Sequence, residues 1–367
     1  MNKLFIMAAA VGVALTACTS EKEDGLKVEG QSPITFANPV VSANTRTVPG
    51  EIGTKYAENQ KFSVFAVWTA GDFASWGAST NKKFMEDVEV SYVPGLGTNK
   101  PGAFAPATDY FWPKDGKLTF AAYSPSSVTA TYGAAGLVAT DFAVPANGYT
   151  KAQAQAGTDA EAQYDFMYAP RVKNQTNSTA TGNANYNGVN LVFKHALSSV
   201  QFTAKASAAY DGTIIKVQEI AISGVNSVGT FKETITDGAE YSAAPVWSDV
   251  KTPAEYKALT ASDVQLTAEA KNTLDMEGQA FILMPQQFTT TDAKLTIKWT
   301  MQSTGGEAIA QVSTFDLKDI KFNSEETAEW KMGYRYIYNI IIGLDKIYFA
   351  PQCEAWKDGG NSNIEIK

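Results

Sequence analysis

Short segments in which apolar and polar residues alternate recur along most of the chain. In the clearest of them, Lys294 to Trp299, every second side chain is apolar. Alternation with a period of two, bounded by Gly, Pro, Asn and Asp, is typical of half-buried strands, and no long segment shows the 3.6-residue period of a helix. The pattern predicts an all-β protein with strands at 61–68, 117–123, 189–193, 199–204, 294–299 and 334–342.

Two strand-rich regions are separated by a weaker one. Residues 124–188 are rich in Ala, Gly, Thr and Asn, which predicts long loops that decorate a first domain. Dense alternation returns from Val189, so we expect two β-sandwich domains, at 47–194 and 195–367. Residues 253–259 are predicted to form a short helical turn.

The first 17 residues have the layout of a secretory signal peptide. Lys3 precedes an apolar run that is shorter than the roughly 20 residues a transmembrane helix needs. The run ends in Leu15-Thr16-Ala17-Cys18, which resembles the bacterial lipobox, in which the cysteine is acylated and becomes the first mature residue. An ordinary signal peptide with a coincidental cysteine is the alternative. The acidic residues 19–25 are interpreted as a flexible tether or as a surface-export signal.

Charge and composition exclude several classes of function. The chain of 367 residues carries 38 acidic and 30 basic residues, a formal net charge of −8. Such a chain lacks the basic surface on which nucleic-acid binding depends, so we expect no nucleic-acid partner. One histidine and two cysteines exclude multi-His zinc sites, Cys/His clusters and a disulfide-stapled fold.

The sequence also lacks the common catalytic motifs. It contains no nucleophile elbow, dinucleotide-binding glycine motif, phosphate-binding loop or HExxH motif. His195 has no nucleophile beside it in sequence and is interpreted as a structural residue. We therefore predict no enzyme, no cofactor and no metal site. The enzymatic alternative, a glycan hydrolase, needs a convergent pair of carboxylates that the sequence does not indicate.

Two residue types leave alternatives open. Trp76 is the best candidate among the seven tryptophans for an exposed ring on which a sugar could stack, although core packing is the ordinary role of such a residue. Cys353 has no disulfide partner if Cys18 is acylated. It is then either a packed thiol or a free thiol at a subunit contact.

Several segments recur in an order and spacing that is informative as a set. They are Ile34-Thr35-Phe36, Thr45-Arg46-Thr47, Tyr110 to Pro113, Asp165 to Ala169, Val192 to Ser198, Phe281 to Gln286 and Trp330 to Asn339. Together with the lipobox they resemble the fimbrillin family, the Mfa-like subunits of type V pili. The resemblance implies two transthyretin-like β-sandwich domains in tandem. It also implies an extracellular Arg-specific protease that cuts between Arg46 and Thr47, although Arg46 could instead be an ordinary loop arginine.

Cleavage at that position would remove residues 18–46, a tether and a propeptide strand that contains Ile34-Thr35-Phe36 and Val40-Val41. An apolar groove with unpaired backbone groups would remain, which is costly until another extended segment fills it. A neighbouring subunit can fill it by strand addition, and because donor and groove lie on different surfaces, the contact is head to tail. The resemblance implies that the C-terminal tail provides the donor strand. In this tail Ile364 and Ile366 alternate with a polar residue. A tail that pairs only within its own domain is the alternative.

These features predict a structural or adhesive subunit of a type V pilus, located at the outer membrane and the cell surface. Its expected partners are other fimbrillin subunits, outer-membrane lipid through Cys18, and the Arg-specific protease. The alternative is an anchored surface lipoprotein that acts as a pilus anchor or as an adhesin for glycans or host proteins. The sequence leaves the choice between stalk, tip and anchor open.

Overall fold

The computed structural model describes residues 28–37, 39–42, 54–95, 102–145, 165–177, 188–234, 243–269, 272–273, 281–288, 292–322, 328–344 and 346–355. Strands account for nearly all regular structure in these ranges, and the one helical element described is a single 3₁₀ turn at Leu317–Asp319. The predicted all-β class is confirmed. The tandem division and the transthyretin-like topology stay predictions.

The first sheet has eight strands, in the order β3-β2-β12-β11-β8-β4-β5-β6. Its strands are β2 (Val40–Ser42), β3 (Thr54–Lys55), β4 (Phe62–Thr69), β5 (Lys82–Val93), β6 (Ala103–Pro106), β8 (Lys117–Ser124), β11 (Met167–Gln175) and β12 (Val192–His195). All neighbours are antiparallel except β2 and β12, which run parallel. A separate two-stranded pair joins β1 (Val28–Pro33) to β7 (Phe111–Pro113).

The second sheet contains the longest strands of the protein. Its order is β20-β19-β14-β10-β9, and β15 also pairs with β14. The strands are β9 (Thr131–Gly133), β10 (Gly136–Ala143), β14 (Thr213–Thr234), β15 (Ala243–Gln265), β19 (Lys294–Ser303) and β20 (Ala308–Asp316). β9 and β10 precede the predicted domain boundary, yet β10 pairs with β14, which follows it.

The third sheet has the order β16-β13-β22-β23, with β17 beside β13 and β24 beside β22. Its strands are β13 (Ser198–Ala206), β16 (Asn272–Thr273), β17 (Phe281–Leu283), β22 (Tyr334–Ile342), β23 (Ile347–Phe349) and β24 (Gln352–Ala355). A short pair of β18 (Gln286–Gln287) and β21 (Glu329–Trp330) completes the described strands.

Buried apolar side chains form two clusters. The larger one joins the second and third sheets and includes Phe202, Ile220 and Tyr338. The smaller one lies on the first sheet and includes Phe36, Phe62 and Phe120. Alternating inward side chains therefore build the core of the second and third sheets, which form a sandwich.

Two local predictions are wrong. Residues 124–188 were expected to be loops, but their described part contains β9, β10 and β11. Residues 253–259, expected to form a helical turn, lie within β15. In both places the partner strand, which is distant in sequence, decides the conformation over local composition.

Candidate functional site

Residues 28–37 and 39–42 are here called the closing segment. It begins as β1, paired with β7, and then lies between two rims of the first sheet, residues 104–110 beside β6 and residues 188–191 before β12. On one side, the Ile34 amide donates to Tyr110 O at 2.6 Å, and Phe36 exchanges bonds of 2.8 and 3.0 Å with Phe104 of β6. On the other side, the Val189 amide donates to Thr35 O at 2.8 Å. The segment then continues as β2, parallel to β12. The chain's own leading segment thus joins β6 to β12 and closes the sheet.

Further bonds complete the second rim. The amides of Ala37 and Val40 donate to Val189 O at 3.0 Å and to Leu191 O at 3.1 Å. Without the closing segment, all these backbone groups of both rims would lose their partners.

The side chains of the closing segment fill the interior of the first sheet. Ile34, Phe36 and Val41 are 1%, 0% and 6% exposed. The Phe36 ring meets Phe62 and Phe120 nearly edge-on, with centroids 5.8 and 5.6 Å apart. Burying an aliphatic or aromatic side chain contributes about 1.5–3 kcal/mol each, so the segment forms part of the core rather than a surface strap.

A glycine permits the close approach of the second rim. Gly188 has φ of +106°, and a Cβ there would lie 2.6 Å from the Ala37 nitrogen and 2.7 Å from the Phe36 carbonyl carbon. A larger residue would push the rim away from the closing segment.

Two buried polar pairs stand beside the closing segment. The Tyr56 amide donates to Pro39 O at 2.9 Å, and its hydroxyl donates to Lys61 O at 2.9 Å and lies 2.7 Å from Ser124 Oγ. Burial raises the pKa of the Tyr56 hydroxyl, which stays protonated. His195 is fully buried at the end of β12, with Nδ1 2.5 Å from Asp165 Oδ2. The position of His195 beside the rim agrees with a structural role.

Glu233, on β14, is a functional candidate that the sequence analysis missed. Its side chain is 1% exposed; Oε2 accepts a bond from the Leu137 amide at 3.2 Å, whereas Oε1 has no hydrogen-bond partner. Burial raises the pKa of this carboxyl to about 7, against the opposing effects of the Leu137 bond and of the charges of Arg171 and Lys194. Arg171 and Lys194 belong to β11 and β12, so the positive charges that act on Glu233 come from the first sheet.

Trp76 is half-buried and packs within an aromatic group. Its ring lies 4.4 Å from Tyr132 and 6.2 Å from Phe73, measured between centroids. The Arg171 guanidinium lies 5.4–5.7 Å from all three ring centroids, and its Nε donates to the Tyr132 hydroxyl at 2.7 Å. Much of the indole is therefore engaged with its own chain, and a ligand-binding role of Trp76 stays a prediction.

The other predicted site residues lie outside the described residues. They are Cys18, Arg46, Thr47, Ile364 and Ile366. Arg46 belongs to the eleven residues that connect Ser42 to Thr54, the ends of two antiparallel strands. Within the described ranges, no helix has the length and apolarity to cross a membrane, and no three His, Cys, Asp or Glu side chains are grouped as metal ligands.

The solved structures that resemble this chain are distant from it both in sequence and in geometry. A fimbrial protein from Bacteroides vulgatus is 16% identical, with 88% of this chain and 100% of that chain covered and a TM-score of 0.48. A protein assigned to cell adhesion from Bacteroides uniformis is also 16% identical, with 89% and 98% covered and a TM-score of 0.45. No curated protein sequence matches the chain.

A family model provides the decisive comparison. The model described as fimbrillin-like matches residues 45–356, which is most of the 367-residue chain. Its match includes every strand of the three sheets except β2. The predicted resemblance is confirmed, and the chain belongs to the fimbrillin-like family.

Proposed function

We propose that this protein is a pilus subunit that is exported as a lipoprotein through Cys18, cleaved after Arg46 and polymerised by strand exchange. In this proposal the chain has no catalytic role and needs no cofactor. Its partners are other subunits of the same family, the outer-membrane lipid and an extracellular Arg-specific protease. Family membership supports the broader part of the proposal, a pilus subunit or adhesin at the cell surface.

The closing segment is the observation that carries the finer part. It is continuous with residues 43–46, so a cut after Arg46 would sever it from the rest of the chain. The segment contributes buried side chains and backbone bonds to both rims, which gives a removable strand of the first sheet. Once removed, it would leave unpaired amides and carbonyls beside an aromatic slot, and this state favours capture of another strand.

A replacement strand has to satisfy defined requirements. It needs two apolar side chains two residues apart, to occupy the positions of Ile34 and Phe36, and a free backbone on both edges. The tail residues Ile364-Glu365-Ile366 repeat the apolar–polar–apolar pattern of Ile34-Thr35-Phe36. A tail from one subunit in the slot of the next gives a head-to-tail contact that extends into a filament.

Substitution of Arg46 tests the proposal. Arg46→Lys keeps the positive charge but removes the side chain that an Arg-specific protease recognises, and Arg46→Ala removes both. We expect both variants to remain uncleaved and unpolymerised at the cell surface, whereas the wild-type protein starts at Thr47 and forms fibres. N-terminal sequencing measures cleavage, and electron microscopy shows whether fibres form. Fibres from uncleaved Arg46→Ala would contradict the proposal.

A second candidate is an anchored lipoprotein that keeps its closing segment in place and acts as a pilus anchor or adhesin. The extensive pairing of that segment to both rims favours it, because an intact sheet needs no donor strand. An acylated Cys18 as the first residue of surface-extracted protein would support this candidate. A glycan array that compares wild type with Trp76→Phe would then test whether the indole contributes to adhesion.

A further inference from the structure

One edge of the second sheet is open over a long strand. β20 pairs with β19 from Ala308↔Gln302 to Asp316↔Lys294 without a shift in register. On its other side, none of the strands in the described ranges is paired with it. A regular nine-residue strand therefore presents a row of backbone amides and carbonyls to which another strand can bond.

The same sheet contains an edge that is protected. β15 pairs only with β14 among the described strands, but Pro253 removes one backbone donor and the register shifts four times. Asp249 and Thr252 have φ values of 51° and 66°, which interrupt the extended backbone. Pro, bulges and charged side chains such as Lys251 are the common means by which proteins prevent edge-to-edge association. β20 has none of these features between residues 308 and 315.

The side chains of β20 are unusually apolar for an exposed strand. Val312 and Ile309 are 65% and 56% exposed, the two highest values among the large hydrophobic side chains of the described residues. They lie on opposite faces of the strand. No residue from Ala308 to Phe315 carries a charge, and the first charge, Asp316, is paired with Lys294.

We propose that β20 is an interaction surface for a second copy of this chain, with the two β20 strands paired antiparallel about a two-fold axis at Val312. This register places Ile309 of one copy opposite Phe315 of the other on the same face. Phe315 already packs against Phe349, with centroids 4.7 Å apart, so Ile309 would extend an existing apolar contact. Asp316 falls opposite Ala308, and no like charges face each other along the strand.

The size of the contact indicates a weak association. Nine residues at about 3.4 Å each give a strand pair roughly 30 Å long. A single strand pair buries less than the ~1,200 Å² of a stable interface, so we expect a weak dimer in solution that becomes stronger when many copies are held side by side. The surface thus suits lateral contact between chains and is separate from the slot of the closing segment.

A cysteine at the symmetry axis tests the proposed register. In full-length protein with Cys18→Ser and Cys353→Ser, Val312→Cys places two thiols on directly opposed residues, at a separation that a disulfide can span. We expect a covalent dimer under mild oxidation. Val246→Cys, which replaces a 48% exposed valine on the protected β15 edge, is the matched control and should give no more dimer than the chain without a new cysteine. Equal crosslinking by both variants, or by neither, would overturn the proposal.

A charge at the same position gives an independent measurement. Val312→Lys sets two ammonium groups opposite each other across the axis and removes apolar contact, so we expect dimerisation to weaken about tenfold. Val246→Lys should leave it unchanged. Sedimentation velocity over a concentration series reads the association, and circular dichroism verifies that both variants fold. If Val312→Lys associates as strongly as wild type, β20 is not the contact surface.

Discussion

The edges of the first sheet and of the second sheet differ in whether another strand covers them. The rims of the first sheet are covered by the chain's own closing segment, with Ile34 and Phe36 buried at 1% and 0% exposure. The β20 edge of the second sheet is uncovered, and its Ile309 is 56% exposed. The same physical feature, an unpaired strand edge, is thus protected in one region and available in the other. The difference teaches that the first sheet depends on one short segment of the chain for its stability, whereas the second sheet keeps an edge to which a further strand can bond.

The largest expected effect comes from two isoleucines, one in each region. Ile34→Ala in the uncleaved chain should lower the free energy of unfolding by about 2–5 kcal/mol, because it leaves a cavity beside the rims. Ile309→Ala, the matched change on the open edge, should cost less than about 0.5 kcal/mol, since its side chain is already in water. Urea denaturation of both variants measures the difference.

Equal losses from the two isoleucine substitutions would contradict the comparison. So would a negligible loss from Ile34→Ala, because the closing segment would then be only loosely seated. Both variants should be prepared without exposure to the protease, so that the closing segment remains covalently attached.

The stability of the folded chain should depend on pH through the buried carboxyl of Glu233. Its pKa is about 7 in the folded chain, above the ordinary value of 4.5, so the folded state binds a proton that the unfolded state has released between these values. The stabilisation is therefore fully present below about pH 4.5 and is lost as pH rises through 7. At 1.4 kcal/mol per pKa unit the loss is at most roughly 3 kcal/mol.

Glu233→Gln is the matched control, because it preserves the volume and the acceptor for the Leu137 amide. The stability of wild type minus that of Glu233→Gln should fall between pH 4.5 and 8, as measured by denaturation at several pH values. A difference that is flat or rises with pH would show that the carboxyl is ionised without cost in the folded protein.

A smaller effect is expected at the aromatic group around Arg171. Trp76→Ala should lower stability by about 2 kcal/mol, from lost ring contacts and a lost cation–π interaction. Trp76→Phe retains a ring against Tyr132 and should cost about half as much. Thermal unfolding compares the two. If neither variant changes stability, the Trp76 indole does not contribute to the packing of the aromatic group. That result would favour a role of the indole in ligand binding.

The regular strands could be predicted from the sequence, because apolar and polar residues alternate along a strand that has one buried face. The segments predicted at 117–123, 199–204 and 334–342 correspond to β8, β13 and β22 with small changes at their ends. Ile34 and Phe36, which belong to the predicted propeptide strand, are buried, whereas the removal of that strand stays a prediction. The family also followed from the order of short motifs.

The failures have a common physical cause, which is pairing between distant segments. β10 looks like a loop in a region rich in Ala and Gly, but β14, almost a hundred residues later, provides its partner. Pro253 suggested the start of a helical turn and instead lies on an edge strand, where a missing amide is tolerated. The sequence gives only a faint indication of Glu233, a carboxylate two residues from the buried Phe231. The charges of Arg171 and Lys194 that act on it come from distant parts of the chain.

The closing segment is hydrogen-bonded to both rims of the first sheet at once. Loosening Phe36 from Phe104 also disturbs the neighbouring bond between Thr35 and Val189, so the strand cannot peel away one side at a time. Its release is then nearly all-or-none and slow, and its amide hydrogens should exchange with solvent only when that region opens as a whole. In the pathway proposed above, the uncut molecule would stay closed, and scission of the chain rather than thermal fluctuation would set the moment of activation.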